Sequence, residues 1–230
     1  MSLLEKTIKE AAQDHEIRLR MSYSEWLDQI DENTQSEWVD GEAIIFMPPA
    51  TKHQQLVTYL VTLMRLYVDY FQLGEVIVAP FEMRVLPEGN AREPDILFVA
   101  SDNVSRLTEQ RLAGAADLLV EVISPESVQR DYEEKRIEYE AVGVREYWIV
   151  DPRPDHVGAQ FWVLDDGGDY RAAPVDADGV YRSNVLTGFW LNVDWLWAED
   201  APSPLAAFGE IAGLPADILQ YLSSGRPAAT

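Results

Sequence analysis

Cysteine is absent from the 230 residues. That excludes disulfides and thiolate metal sites, and it agrees with a reducing compartment, the cytoplasm. Bases are scarce: 18 against 40 acids, a net charge of −22 at pH 7. Nucleic-acid-binding proteins usually carry a basic footprint. Here acids exceed bases along the whole chain, least so between residues 92 and 153. Any DNA must therefore be held weakly, through a small local patch, or with metal or partner help. No apolar run approaches the about 18 residues of a membrane span, and the N-terminus has no signal-peptide core. A soluble, cytoplasmic protein without membrane contact is expected. Three histidines and no cysteine give no basis for a structural zinc. A glycine-rich phosphate loop, a His-Glu-x-x-His helix and a nucleophile-elbow serine are also missing.

What is present suffices for a core. The chain is 47% hydrophobic and of one-domain length. Its organising stretch is Ala116 to Pro125, in which Leu118–Ile123 reads as a buried central strand ended by Ser124-Pro125. Glu121 lies in the middle of that strand. A buried carboxylate costs several kcal/mol or more unless something charged pairs with it. Two neighbours offer company. Arg92-Glu93-Pro94-Asp95 opens a second apolar strand, Ile96–Val99, with an aspartate directly after proline. On the helix after Ser124-Pro125, Tyr132, Lys135, Tyr139 and Val142 fall on one stripe at 100° per residue. Lys135 therefore faces the sheet, away from Glu133, Glu134 and Glu140, while Ile137 falls off the stripe.

Residues 3 to 20 read as a charged helix with a thin apolar face (Leu4, Ile8, Ala11 or Ala12) that could make an oligomer contact. Ser22 and Glu25 predict a capping box and a short helix from Tyr23 to about Ile30. Trp38 to Phe46, broken by Asp40-Gly41, predicts a hairpin. A helix is expected from Thr51 to about Leu73, stopped by Gly74, with His53 on its buried face. Glu75–Leu86 reads as one long strand turned back into Asp95–Val99, and Ser105–Leu112 as a small helix. The Lys135 helix runs to Val142, and Arg145–Val150 follows as a parallel crossover strand. Beyond Asp155, short strands at 159–164, 170–173 and 180–183 predict an antiparallel meander extending the sheet. Asp165, Asp166, Asp176 and Asp178 lack the full calcium-loop pattern and are read as turn residues. Trp190, Trp195 and Trp197 are expected to close the core. Pro215–Leu222 is expected as a last helix before a disordered tail.

At these residues the chain resembles a known family. Pro94-Asp95, Glu121-Val122-Ile123-Ser124, Asp131, Lys135, Tyr139, Gly143 and Glu146-Tyr147-Trp148-Ile149-Val150-Asp151-Pro152 are similar to the Uma-type restriction endonucleases of the PD-(D/E)XK nuclease-like superfamily. The resemblance extends back to Glu37-Trp38-Val39-Asp40-Gly41-Glu42 and His53, covering roughly residues 22 to 195. It implies a restriction-endonuclease-like α+β (α/β) fold, a mixed β-sheet core flanked by helices, with a C-terminal antiparallel extension. The corresponding division is an N-terminal helical extension (1–21), a nuclease-like domain (22–198) and a C-terminal helical tail (199–230). One departure stands out: Ile123 occupies the superfamily's usual lysine position, and Lys135 on the helix is the natural substitute.

The implied activity is metal-dependent hydrolysis of DNA phosphodiesters with Mg²⁺ (or Mn²⁺), cations that favour oxygen donors. Asp95, Glu121 and Lys135 are the implied catalytic residues, with Asp95, Glu121 and the Val122 carbonyl holding the metal. Glu37, Glu42, His53 and Asp131 are supporting candidates. Which of Glu37 and Glu42 points inward hangs on alternation across the Asp40-Gly41 turn. Asp131 most simply pairs with Lys135 at i, i+4. A homodimer is expected, since cutting two strands takes two sites. Two other readings remain: a nuclease fold that has lost hydrolysis and acts by protein–protein binding, as the charge suggests, and a purely structural Asp95–Glu121–Lys135 triad.

Overall fold

The computed structural model describes residues 16–31 and 34–223. In chain order the elements are strand β1 (Glu16–Arg20), helix α1 (Tyr23–Gln29), strands β2 (Ser36–Val39) and β3 (Glu42–Phe46), helix α2 (Thr51–Phe71), and strands β4 (Gly74–Val78), β5 (Glu82–Arg84) and β6 (Ile96–Ala100). A 3₁₀ turn (Ser101–Arg106) leads to β7 (Arg111–Ala113) and β8 (Leu118–Val122). A π-helical turn (Arg130–Glu134) runs into helix α3 (Lys135–Ala141), then come β9 (Glu146–Asp151), β10 (Gly158–Leu164) and β11 (Tyr170–Ala173). Strands β12 (Val180–Arg182) and β13 (Trp190–Asn192) and helices α4 (Pro204–Ile211) and α5 (Ala216–Ser223) end the described chain.

The main sheet has six strands in the order β11-β10-β9-β8-β6-β4, with β8 and β9 parallel and the other pairs antiparallel. This is the mixed sheet expected, with the predicted crossover between β8 and β9. Strand alternation divides its side chains between two cores. Leu118, Val120, Val122, Trp148 and Val150 face α2 and α4. Leu119, Ile123, Tyr147 and Ile149 face the α3 side. Glu121 takes the same parity as Leu119 and Ile123, and so points toward α3.

The hairpin forms as predicted, with Asp40 and Gly41 at φ 51° and 85° in the left-handed region that Asp-Gly tolerates. The Ser22–Glu25 capping box is present at the start of α1. The aspartates at 165 and 176 accept turn amides, Gly167 and Asp169 for the first, Asp178 and Val180 for the second.

Several expectations need correction. Residues 16–20 are not helical: β1 pairs antiparallel with β3, because Ile17 is buried against the hairpin while Arg18 and Arg20 project out. The rest of the helix expected over 3–20 lies outside the described residues. Glu75–Leu86 is two strands, since Pro80 has no amide to offer a ladder; β4 stays in the main sheet, while β5 pairs with β7 in a separate parallel pair. Ser105–Leu112 is not a helix but the end of a 3₁₀ turn and part of β7. Helix α2 stops at Phe71 with Gln72, not Gly74, as its left-handed cap. The meander extends the sheet only through β10 and β11; β12 pairs with β13 apart from it. Trp190, Trp195 and Trp197 are half-buried around a core that Phe189, Leu191 and Leu196 fill. Helix α4 falls within the stretch expected as a helical tail, and it packs Ala207, Phe208 and Ile211 into the α2 core. The tail beyond 223 lies outside the described residues.

Candidate active site

Asp95 and Glu121 owe their proximity to register. Strands β6 and β8 pair Ile96 with Val120, so Asp95 stands just beyond the last rung, where β6 begins. There its carboxylate replaces a ladder carbonyl: Oδ2 accepts the Val122 amide at 2.8 Å. The same oxygen lies 3.3 Å from Nε2 of His53, buried in the first turn of α2. Burial works against charge on His53, but the Asp95 contact outweighs it and raises the imidazole pKa.

Lys135 reaches Glu121 from the opposite layer. Its Nζ stands 2.7 Å from Glu121 Oε1, 2.8 Å from Glu37 Oε1 and 3.4 Å from Asp131 Oδ1. Burial opposes the ammonium, yet Glu121, Glu37 and Asp131 together outweigh it, so its pKa is raised and it keeps its proton. The Tyr139 hydroxyl, one turn along α3, also donates to Glu121 Oε1 at 3.0 Å.

Three carboxylates cannot all be neutralised by one ammonium. Glu37 takes the larger share, because Arg92 also donates to it at 2.9 Å. Against burial, Lys135, Arg92 and Arg130 bring Glu37 down to about 2. Burial, with Asp131, Asp95 and Glu37 as close like charges, pushes Glu121 up to about 8 despite Lys135. Asp131 is raised for the same reason, burial first. Glu93 is pushed up to about 8 by burial and by Glu37 and Glu82, although the Ser36 amide donates to it at 3.0 Å.

Of the expected residues, Asp95, Glu121, Val122, Lys135, Glu37, His53 and Asp131 meet here. Glu42 does not; it is part-exposed and 4.0 Å from Arg18. Alternation was the wrong criterion for that pair. Glu37 is opposite Ile44 and Val39 opposite Glu42, and cross-strand partners share a face. What separates the two carboxylates is distance from the turn, since Glu42 adjoins it and Glu37 lies two residues further down the strand. Sequence reasoning gave no role to Arg92, Glu93 or Arg130. The first two stand beside Pro94-Asp95, and charged residues in a stretch about to enter a core were the available signal.

The centre opens into a narrow cavity of about 40 Å³ bordered by Asp95, Glu121, Lys135, His53 and Arg130, room for about one water or ion. Three buried polar atoms around it, His53 Nδ1, Asp131 Oδ1 and Arg130 Nε, make no hydrogen bond. A roomier cavity of about 670 Å³ lies beyond Glu93, between α1 and residues 109–111. It holds none of the converging ion pairs, so the narrow cavity is the candidate active site.

Among the described residues, no three Asp, Glu or His side chains are arranged to hold a metal ion. The expected set needs only two, with the Val122 carbonyl as its third donor. Asp95 and Glu121 each engage the protein through one oxygen, Oδ2 and Oε1, leaving the second outside those contacts. An all-oxygen donor set in a pocket with excess carboxylate fits a hard divalent cation.

A family model described as Uma2, "Putative restriction endonuclease", matches residues 22–194. No curated protein sequence matches the chain. Among solved structures, the chain is similar to the crystal structure of a putative nuclease belonging to DUF820 from Anabaena variabilis ATCC 29413. Identity is 17% and the TM-score 0.60, over 75% of this chain and 95% of that one. At that identity the likeness speaks for the fold.

Proposed function

The chain belongs to the Uma2 family of restriction-endonuclease-like proteins, and on that premise we propose that it is a divalent-metal-dependent DNA endonuclease. The observation that carries the reading is the pairing of Asp95 with Glu121 on adjacent strand ends, each with one oxygen outside its protein contacts, under the Lys135 ammonium. Asp95, Glu121 and the Val122 carbonyl would hold Mg²⁺ or Mn²⁺, which when bound supplies charge for the phosphate and acidity for the attacking water.

The chain's own residues do the positioning. The Val122 amide and His53 fix Asp95. Lys135 and Tyr139 fix Glu121. Because Lys135 stays protonated, it is a donor and not a general base; it can offer a proton in a hydrogen bond to a phosphate oxygen or to the water. Glu37 holds Lys135 in place from the hairpin, and Arg92 holds Glu37. Double-strand cleavage would take a second copy of the chain, a homodimer.

One observation favours another reading. The Lys135 ammonium already lies among Glu37, Glu121 and Asp131, and the chain carries −22 charges. A module that has lost hydrolysis and binds another protein would have those properties. Calorimetric titration of Mg²⁺ and Mn²⁺ into wild type and Asp95→Ala, followed by plasmid nicking with both, separates the two. Binding and nicking that vanish together in the variant support the endonuclease. Metal binding without nicking supports the degenerate module, and neither activity in the wild type rejects the metal centre.

A further inference from the structure

Arg130 is the guanidinium beside the narrow cavity. It is only 7% exposed, its Cζ sits 4.6 Å over the centre of the Phe46 ring, and its Nη1 donates to Glu16 Oε2 at 2.5 Å. Its Nε is buried without a hydrogen bond; Asp131 Oδ1 stands 3.9 Å away, out of reach. Glu16 has a different character. It is 23% exposed, it opens the edge strand β1, and it pairs across the sheet with the same Phe46. Its other oxygen accepts from Arg18 at 2.8 Å.

The other cations near the cavity are committed. Lys135 is enclosed by three carboxylates, His53 faces Asp95, and Arg92 is held between Glu37 and Glu138. Glu138 borders solvent as much as Glu16 does, but it is anchored in helix α3 and shares Arg92 with the buried Glu37. Among the described residues around the cavity, it is Arg130 whose holding carboxylate sits at the end of an edge strand, the part of a sheet most easily released. A guanidinium fork binds phosphate and carboxylate with the same donors, and phosphate brings more oxygens to it. A single carboxylate oxygen leaves Nε idle.

We propose that Arg130 is a phosphate-binding subsite of this centre and that the Glu16 carboxylate occupies it in the absence of phosphate. That the phosphate belongs to DNA rests on the endonuclease reading; the anion site itself does not. When Glu16 swings out, it returns to water, and a phosphate oxygen takes its place on Arg130 beside Asp95 and Glu121. A strongly acidic chain thereby keeps one local, buried point of attachment for a phosphate.

The test is calorimetric titration of inorganic phosphate, at fixed ionic strength, into the full chain and into Glu16→Gln, Arg130→Lys and the double variant. Glu16→Gln should bind phosphate about tenfold more tightly, because the competing anion is gone, and adding Arg130→Lys should remove most of that gain. Unchanged or weaker binding by Glu16→Gln, or a double variant as tight as Glu16→Gln, overturns the inference. A purely structural pair would lower the melting temperature of Glu16→Gln without any gain in phosphate affinity, and that result also overturns it. Plasmid nicking by the same proteins keeps the two ideas apart. Tighter phosphate binding without nicking leaves the subsite and removes the nuclease. Nicking that needs Asp95 but whose KM ignores Glu16→Gln, with phosphate affinity unchanged, does the reverse.

Discussion

Two glutamates are buried in neighbouring strands of the same sheet, and they are opposites. Glu146, at the start of β9, accepts from the Trp148 indole, the Tyr181 and Ser183 hydroxyls, and the amides of Asn184 and Val185. All five donors are neutral, and together they close off both oxygens. Glu121, on β8, has a charged donor, one hydroxyl and three carboxylates around it, and is pushed up to about 8. Glu146 ties the β12–β13 region to the sheet on the α2 face; Glu121 faces a cavity on the other. A buried carboxyl group enclosed by neutral donors is finished structurally, whereas one crowded by its own kind is poised to gain a cation.

That contrast can be broken most forcefully at Glu146. Glu146→Ala leaves five buried donors without an acceptor and should cost about 3–5 kcal/mol, measured by urea unfolding; a loss below about 1 kcal/mol would erase the distinction. Glu121→Gln should do the converse. Glutamine has the shape of the neutral carboxyl that Glu121 favours at neutral pH, so stability should move by less than about 1.5 kcal/mol. Mn²⁺-supported plasmid nicking should meanwhile fall about 10³-fold, near 4 kcal/mol of barrier. If Glu121→Gln instead unfolds the domain, the triad is structural.

A smaller effect lies in pH. A cation needs Glu121 ionised, so Mn²⁺ affinity should rise up to about tenfold per pH unit as the solution approaches pH 8, with proton release seen by calorimetry in different buffers. Glu121→Gln should flatten that rise. The stability consequence has the opposite sign. Between about pH 4.5 and 8 the folded state keeps a proton that the unfolded chain has released, so this residue makes stability fall as pH rises. Glu93, also pushed up to about 8, acts in the same window, and Glu93→Gln separates the two. Glu37 runs the other way: its contribution is present above about 4.5 and lost as pH falls toward 2. The smallest effect belongs to Glu42, part-exposed beside its turn. Glu42→Gln should change stability by less than about 0.5 kcal/mol and leave nicking intact.

The sequence made the meeting of Asp95, Glu121 and Lys135 legible because two short-range rules point the same way. Strand parity aims Glu121, helix periodicity aims Lys135, and a single crossover joins them. Ile137 shows the rule at work, since it falls off the stripe and is exposed. Where placement hangs on partners far along the chain, the reading failed. Glu16-Ile17-Arg18-Leu19-Arg20 alternates like a strand, but its charges suggested a helix surface until β3 supplied the partner. Pro80 divides a run whose composition looks continuous. The Arg130–Glu16 pair spans 114 positions and leaves no local trace. Glu146 could not be told from Glu121 in advance, because both lie in apolar strands and differ only in who donates to them.

The wide turn before α3 carries one residue more than a regular helix would use over the same path. The Lys135 amide reaches back to Arg130, and the Asp131 carbonyl that it skips takes the Tyr147 hydroxyl instead. Loss of one residue between 131 and 134 would restore an ordinary helix and need not break the fold. It would, however, turn Asp131 and everything before it by about a third of a revolution relative to Lys135. Chain length in this segment is therefore a setting of aim rather than of stability: homologues one residue shorter here would keep the same architecture and point a different side chain at the sheet.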